Sequence, residues 1–223
     1  MKGRICVVFD VDDTLYLERD YVRSGFEAVG RWAAKWIQAE EFGERCWEEF
    51  NSGKRGSIFN DVLAGSGKEV NPTLISALVE IYRTHTPSIR LAPDAAEALE
   101  AIGRFAPVAV ITDGPVISQS RKAEALGLSS FATPIILTEI LGVEFRKPHC
   151  KAFEWVSQRH PASVYAYIAD NPLKDFTAPI QMGWMTVRVR RSGGLHRVVE
   201  NSQIKPDLEM TDCSGLPELL SGL

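Results

Sequence analysis

The sequence predicts an α/β protein, an open and doubly wound parallel sheet with a helical subdomain inserted after its first strand. Short, nearly continuous apolar runs alternate with helical stretches, which is typical of parallel strands covered on both faces. After the first run, a long segment with helical periodicity and no strand pattern interrupts this alternation. The 223 residues, 45% hydrophobic and 24% charged, suffice for one large domain or for one domain with an insertion.

Five apolar runs are the predicted strands: Ile5–Phe9, Val108–Ile111, Ile135–Leu137, Val164–Ala169 and Met185–Val189. Three helices are predicted between them, at about Pro93–Gly103, Ile117–Leu126 and His149–Arg159. The first of these begins at a proline, carries acidic residues in its early turns and ends at a glycine, as helices commonly do. Strands and helices that alternate in this way form right-handed βαβ units.

The inserted subdomain is predicted to span residues 16–90, so the sheet domain comprises residues 1–15 and 91–223. Its apolar residues fall at helical spacing, and stretches rich in glycine and serine separate the helices. We expect its three tryptophans, Trp32, Trp36 and Trp47, to pack in its core, because aromatic residues at helical spacing usually do.

Charge and composition exclude several classes of protein. Lysine and arginine number 25 and aspartate and glutamate 29, a net charge of −4, which argues against a nucleic-acid partner. No apolar run is long enough to predict a membrane span. The four cysteines are scattered and form no CxxC pair, so we expect reduced thiols in a cytoplasmic protein. Monomer and homodimer both remain open.

An acidic motif follows the first predicted strand. Asp10, Asp12 and Asp13 place three carboxylates in four positions directly after a buried run. Carboxylates this close raise one another's pKa unless a cation is present. The carboxyl end of a parallel strand is also where open α/β sheets bind ligands. Taken alone, the motif is equally well explained as a solvated acidic turn.

Three further motifs come at other strand or helix ends: Thr112-Asp113-Gly114, Arg146-Lys147-Pro148, and Asp170 with Asp175. Each has an ordinary explanation by itself, namely a capped turn, a surface cation and an acidic turn. Together with the first motif they predict a phosphate-handling site. Asp10, Asp170 and Asp175 supply oxygen ligands suited to Mg²⁺. Thr112, Lys147 and backbone N–H groups near Gly114 supply donors and positive charge for phosphate.

These four motifs resemble those of the haloacid dehalogenase-like (HAD) hydrolase superfamily, and the resemblance covers most of the chain. It implies a Rossmann-like HAD core with a helical cap between the first and second motifs. Asp10 would be the nucleophile that forms an aspartyl-phosphate, and Asp12 the general acid and base. Thr112 and Lys147 would hold the phosphoryl group. Mg²⁺ would be bound by Asp10, the backbone carbonyl of Asp12, and Asp170, with Asp175 in support.

Three further details concern how this chain compares with the superfamily. An acid–base carboxylate at Asp12 resembles the phosphatases and phosphomutases, since dehalogenases lack an Asp there. We include Asp113 and Gly114 in the turn that binds the substrate phosphate, although the Asp113 carboxylate is better suited to cap that turn. The family usually has glycine where this chain has Ala169, and we expect a modest cost to metal binding.

Three functions are consistent with these residues. The first is a Mg²⁺-dependent phosphatase for a small phosphorylated metabolite, with sugar phosphates, nucleotides and phospho-organic acids all open as substrates. The second is a sugar phosphomutase on the same core. The third is a non-catalytic binding protein that keeps the fold, although none of the catalytic groups is missing. The presence of Asp12 and of all four motifs favours the phosphatase.

Overall fold

A computed structural model describes residues 5–223, so residues 1–4 of the predicted sheet domain lie outside the described residues. Six strands form one parallel sheet in the order β3-β2-β1-β4-β5-β6. The strands are β1 (Ile5–Phe9), β2 (Val108–Thr112), β3 (Ile135–Leu137), β4 (Val164–Ala169), β5 (Met185–Val189) and β6 (Leu208–Met210). This doubly wound order confirms the predicted α/β, Rossmann-like fold class.

Nine α-helices lie within residues 5–223. They are α1 (Glu18–Ile37), α2 (Phe42–Asn51), α3 (Ile58–Gly65), α4 (Pro72–Thr84), α5 (Pro93–Gly103), α6 (Val116–Ala125), α7 (Lys151–Arg159), α8 (Thr177–Gln181) and α9 (Leu216–Ser221). Three of them, α5 to α7, match the three predicted helices within two residues at either end. The start of helix α4 shows how local sequence determines where a helix begins. Pro72 opens it, and the Asn71 side chain accepts a 2.8 Å hydrogen bond from the N–H of Leu74. None of the helices in residues 5–223 has the length and apolar character needed to cross a bilayer.

The described chain divides into two compact units. The first contains the described residues up to Arg19 together with Arg90–Leu223, and includes the whole sheet. Its core lies between the sheet and its flanking helices, where Phe153 of α7 packs edge-on against Tyr167 of β4 and against Trp184. These buried aromatic contacts hold β4, and therefore the residues that follow it, in place.

The second unit, Asp20–Ile89, is helical and has its own aromatic core. Phe26 of α1 lies within 6.3 Å, ring centre to ring centre, of Phe50, Phe59 and Tyr82. Helices α1 and α2 approach so closely that a Cβ at Gly43 would lie 2.6 Å from the carbonyl oxygen of Phe26. The role of this unit as the helical cap that the family resemblance implies stays a prediction.

The prediction that Trp36 packs in the core of this unit is wrong. Its side chain is 63% exposed, and it lies in the last turn of α1, beyond Ala33, the last buried residue of that helix. The Lys35 ammonium lies 5.0 Å from the centre of the ring. Trp32 and Trp47 are partly buried. Helical spacing therefore identified the face of the helix but not the turn at which packing stops.

Candidate active site

The four motifs meet at the carboxyl edge of the sheet. Strands β2, β1 and β4 are neighbours, and Thr112 ends β2 while Asp10 and Asp170 directly follow β1 and β4. The strand order reverses between β1 and β4, which is where open α/β sheets form a ligand crevice. The N–H of Asp10 donates a 2.9 Å hydrogen bond to Ile168, so the backbone leaving β1 stays anchored to β4.

The Lys147 ammonium is the centre of the site. It lies 2.5 Å from a carboxylate oxygen of Asp10, 2.7 Å from one of Asp175, and donates a 3.1 Å hydrogen bond to the Tyr167 hydroxyl. The Lys147 side chain is 0% exposed. Although burial lowers the pKa of Lys147, the two carboxylates raise it well above its ordinary value. Lys147 is therefore a permanently charged group that joins the first and fourth motifs.

Three buried carboxylates form a group that fits a divalent cation. Ligand oxygens of Asp10, Asp170 and Asp175 lie within 4.8 Å of one another. Burial raises the pKa of Asp10 to about 7 against the opposing charge of Lys147, and it raises the pKa of Asp170 to about 7 as well. The nearby Lys174 ammonium also lowers the pKa of Asp10, yet that pKa stays raised, so this group remains short of positive charge. Hard carboxylate oxygens at this spacing are the donors that Mg²⁺ prefers.

The Asp12 side chain is not part of the group of three carboxylates and has hydrogen-bond partners of its own. Its carboxylate accepts hydrogen bonds from the Lys122 ammonium at 2.7 and 2.8 Å, from the Gln119 amide at 3.2 Å, and from the Tyr16 hydroxyl. Burial raises the pKa of Asp12, but Lys122 and the hydrogen bonds outweigh burial and lower it. Any part that Asp12 plays in metal binding therefore falls to its backbone carbonyl, as the family resemblance implies.

The turn after β2 is hydrogen-bonded to Gln119 of α6, to Thr138 and to Lys147 of the third motif. The Thr112 hydroxyl donates a 3.0 Å hydrogen bond to Gln119, and one Asp113 oxygen accepts from the Thr138 hydroxyl at 2.6 Å and from the N–H of Lys147 at 3.2 Å. The Asp113 carboxylate thus caps the turn and helps to place Lys147. Gly114 has φ +139°, a conformation that favours glycine. Phosphate binding by Asp113 and Gly114 stays a prediction.

A loop after β5 contacts Asp170, one of the three buried carboxylates. His196 lies with Nδ1 2.9 Å from an oxygen of Asp170, and Arg188 donates a 3.1 Å hydrogen bond to the carbonyl of the same residue. Asp13 is buried and accepts hydrogen bonds from the N–H groups of Glu18 and Leu195, which anchors this loop. The side chain of Arg188 is only 1% exposed. It is a buried structural residue of the site rather than part of a solvated edge.

Ala169 causes no backbone conflict. It is the last residue of β4 and pairs with Arg188 of β5, in an extended conformation that alanine adopts freely. Its methyl group is fully buried in the core beneath the sheet edge. The backbone at this position therefore does not require the glycine that the family usually has.

Six polar residues outside the predicted set also lie at the site: Tyr16, Gln119, Lys122, Tyr167, Lys174 and His196. Two patterns pointed to some of them. Gln119 and Lys122 lie three residues apart on the helix that follows the second motif, so they share a face. Tyr167 is a tyrosine inside a buried strand, and a buried hydroxyl needs a partner. Lys174 and His196 come from loops, where no periodic pattern places a side chain.

A family model assigns this chain to a family of hydrolases. The family model described as haloacid dehalogenase-like hydrolase matches residues 6–183, most of the chain. The protein therefore belongs to the haloacid dehalogenase-like hydrolase family, as the motifs predict.

Known proteins similar to this chain include two curated relatives. It is 28% identical to a glyceraldehyde 3-phosphate phosphatase of Methanopyrus kandleri, over 92% of this chain and 91% of that protein. It is 25% identical to a protein of the same name from Methanocaldococcus jannaschii, over 88% and 89% of the two chains. The HAD-hydrolase YfnB from Bacillus subtilis, solved bound to magnesium, superposes with a TM-score of 0.70 at 19% identity and covers 99% of both chains. This last likeness shows the shared fold.

Proposed function

We propose that the protein is a Mg²⁺-dependent phosphatase that hydrolyses a small phosphorylated metabolite through an aspartyl-phosphate on Asp10. The observation that carries the proposal is the position of the Lys147 ammonium between Asp10 and Asp175, beside Asp170. A buried cation with a carboxylate nucleophile and a divalent-cation site is an arrangement suited to a phosphoryl dianion. A plain solvated turn would not bury these charges.

In the first step, an Asp10 carboxylate oxygen attacks phosphorus and the bond from phosphorus to the ester oxygen breaks. Asp12 enters this step protonated, having taken up a proton although Lys122 lowers its pKa, and gives that proton to the leaving oxygen, so a neutral alcohol departs. Lys147 and Thr112 hold the phosphoryl oxygens, and Lys147 also keeps Asp10 oriented. The geometry suits this division of work, because Lys147 contacts Asp10 whereas Asp12 faces α6.

In the second step, the Asp12 carboxylate takes a proton from water as the water oxygen attacks phosphorus. The bond from phosphorus to Asp10 breaks, which releases inorganic phosphate and restores both carboxyl groups to their starting states. Mg²⁺, held by Asp10, Asp170 and the carbonyl of Asp12 with Asp175 in support, would supply positive charge for the phosphoryl oxygens in both steps.

The names of the relatives suggest where the substrate search should start. Glyceraldehyde 3-phosphate is the first compound to test, because two relatives that match about nine-tenths of the chain carry that substrate in their names. Sugar phosphates, nucleotides and phospho-organic acids complete the panel. We propose a cytoplasmic location, because all four cysteines are free thiols.

Phosphate release from this panel in Mg²⁺ tests the proposal. The wild type is expected to turn over at least one ester, and Asp10→Asn to lose that activity by about 10⁴-fold or more. Asp20→Asn makes the same chemical change at an exposed residue and serves as the control. Full activity in Asp10→Asn would overturn the proposal. Formation of a 6-phosphate from a hexose 1-phosphate without phosphate release would establish the phosphomutase instead.

A further inference from the structure

We propose that Lys122 and Gln119 are the positioning residues of the acid–base carboxylate, Asp12, and that turnover depends on them more strongly as the leaving group becomes poorer. The inference rests on the proposed function, because it concerns the proton that Asp12 gives to the leaving oxygen. It assigns a role to two residues of α6 that lie outside the four sequence motifs.

Lys122 fixes the carboxylate plane of Asp12. Its ammonium lies 2.7 Å from one carboxylate oxygen and 2.8 Å from the other, so it contacts both oxygens at once. The Lys122 side chain is only 4% exposed, which means that solvent does not screen the pair. A lysine that bridges both oxygens of a buried carboxylate restricts its rotation about the last side-chain bond.

Gln119 fixes the same carboxylate from a second direction. Its amide nitrogen donates to Asp12 at 3.2 Å and to the carbonyl of Asp113 at 2.8 Å. Its amide oxygen accepts from the Thr112 hydroxyl at 3.0 Å, and the two bonds from its nitrogen to acceptor-only oxygens settle which way the amide faces. Gln119 therefore connects the hydroxyl proposed to hold phosphate with the carboxylate proposed to protonate the leaving group.

The local sequence allows Gln119 and Lys122 of α6 to reach Asp12. Gln119 and Lys122 are three residues apart on α6 and present their side chains to the same side. The turn that precedes the helix contains Gly114, where an added Cβ would lie 2.7 Å from the Gln119 amide nitrogen. Glycine at this position lets Gln119 fold back over the turn. The Tyr16 hydroxyl completes the set of donors to Asp12.

If Lys122 and Gln119 position Asp12, replacing them should have a distinctive effect on the kinetics. The ratio kcat/KM covers the steps through departure of the leaving group, and an alkoxide needs a proton to depart. A 2,4-dinitrophenolate departs readily without one. Misplacing Asp12 should therefore lower kcat/KM for an alkyl phosphate and spare kcat/KM for the dinitrophenyl ester. A merely structural role for Lys122 would lower both by the same factor.

The experiment compares kcat/KM for an alkyl phosphate, the best one found in the panel, with kcat/KM for 2,4-dinitrophenyl phosphate. Lys122→Met is expected to lose about 10²-fold or more on the alkyl ester and less than about 3-fold on the activated one. Gln119→Leu should shift the ratio of the two values in the same direction by about 10-fold, whatever uniform loss follows from its contact with Thr112. Lys122→Arg, which keeps a cation, should recover part of the alkyl activity. Arg121→Met removes a neighbouring cation of α6 whose side chain is 41% exposed, and it should leave the ratio unchanged.

The outcomes distinguish failure of the positioning role from failure of the proposed phosphatase function. Equal losses on both esters in Lys122→Met and Gln119→Leu would overturn the positioning role and leave the phosphatase intact. Phosphate release from no ester by the wild type would overturn the proposed function and this inference with it. If circular dichroism shows that Lys122→Met is unfolded, Gln119→Leu decides alone. An unchanged ratio in that variant would refute the role.

Discussion

Replacing Lys147 with methionine removes the buried charge at the centre of the site while keeping a side chain of similar length. In the wild type the ammonium lies 2.5 Å from Asp10 and 2.7 Å from Asp175. Lys147→Met leaves these two buried carboxylates facing each other with no cation between them. We expect the protein to stay folded in metal-free buffer but to lose a large part of its stability.

The magnitude follows from the two distances. At an effective dielectric constant of about 20, each contact is worth about 6 kcal/mol of attraction. Removing the ammonium also removes the cost of burying it, which is several kcal/mol. Breaking a buried ion pair from one side costs about 3–5 kcal/mol in other proteins, and we expect the same loss here. That is a substantial share of the about 5–15 kcal/mol that typically stabilises a protein.

The loss should depend on pH in a defined direction. Asp10 and Asp175 raise the pKa of Lys147, so the stability from that residue is present at any pH below about 10 and is lost only above it. Lys147 lowers the pKa of Asp175, so that contribution is present above about pH 4 and is lost on acidification. Without the ammonium, Asp10 and Asp175 take up protons more readily. The deficit of Lys147→Met should therefore be about 1–3 kcal/mol smaller at pH 5 than at pH 8.

Urea denaturation in EDTA at both pH values measures this deficit. Lys205→Met, a substitution at an exposed lysine, is the control and should change the free energy of unfolding by less than about 0.5 kcal/mol. A deficit below about 1 kcal/mol at pH 8 would contradict the buried ion-pair network. A deficit of the expected size that is equal at both pH values would show that lost packing, rather than charge, is responsible.

Three further predictions concern the neighbours of this network. Burial raises the pKa of Asp10 and Asp170 to about 7, so the stability of the metal-free protein should fall as pH rises from 4 to 7. Mg²⁺ should therefore raise Tm more at pH 8 than at pH 5.5, and an equal rise in Tm at both pH values would contradict the assigned ligands. His196→Ala removes the 2.9 Å contact to Asp170 and should weaken Mg²⁺ binding by about 10–100-fold in calorimetry, whereas unchanged affinity would exclude a supporting role. Asp94→Asn breaks a bidentate pair with Arg191 at 2.7 and 2.9 Å and should cost about 1–3 kcal/mol at pH 7. Because Arg191 and backbone hydrogen bonding outweigh burial and lower the pKa of Asp94, that difference should shrink in denaturation curves below about pH 4, and a constant difference would rule out the charge as its cause.

Local sequence patterns predicted the sheet well because its strands are buried on both faces. The apolar runs from β1 to β5 stand out for that reason, and the predicted bounds match the observed ones within one residue. Strand β6, Leu208–Met210, was missed because it is short, lies at the edge of the sheet and has a polar centre. Its pairing with β5 depends on a long connection that no local pattern reveals.

Site residues next to strand ends were predictable, and those that act on them from elsewhere were not. The position of Asp10 after β1 limits where its carboxylate can lie. Lys122 is a lysine within a helix, and such residues usually face solvent. Only the tertiary structure shows that it is buried against Asp12. His196 reaches Asp170 because Asp13 anchors its loop, and this long-range contact leaves no mark in the sequence.

The proposed function depends on a covalent aspartyl-phosphate at Asp10, and chemical trapping detects that intermediate. Wild-type protein turning over a phosphate ester in Mg²⁺ is quenched in acid, reduced with borohydride and digested with trypsin, and the peptide with residues 5–19 is sequenced by mass spectrometry. An aspartyl-phosphate is reduced to homoserine, so we expect homoserine at position 10 and unmodified aspartate at positions 12 and 13. Steady turnover with no homoserine at position 10, or with homoserine at position 12 instead, would contradict the proposed intermediate.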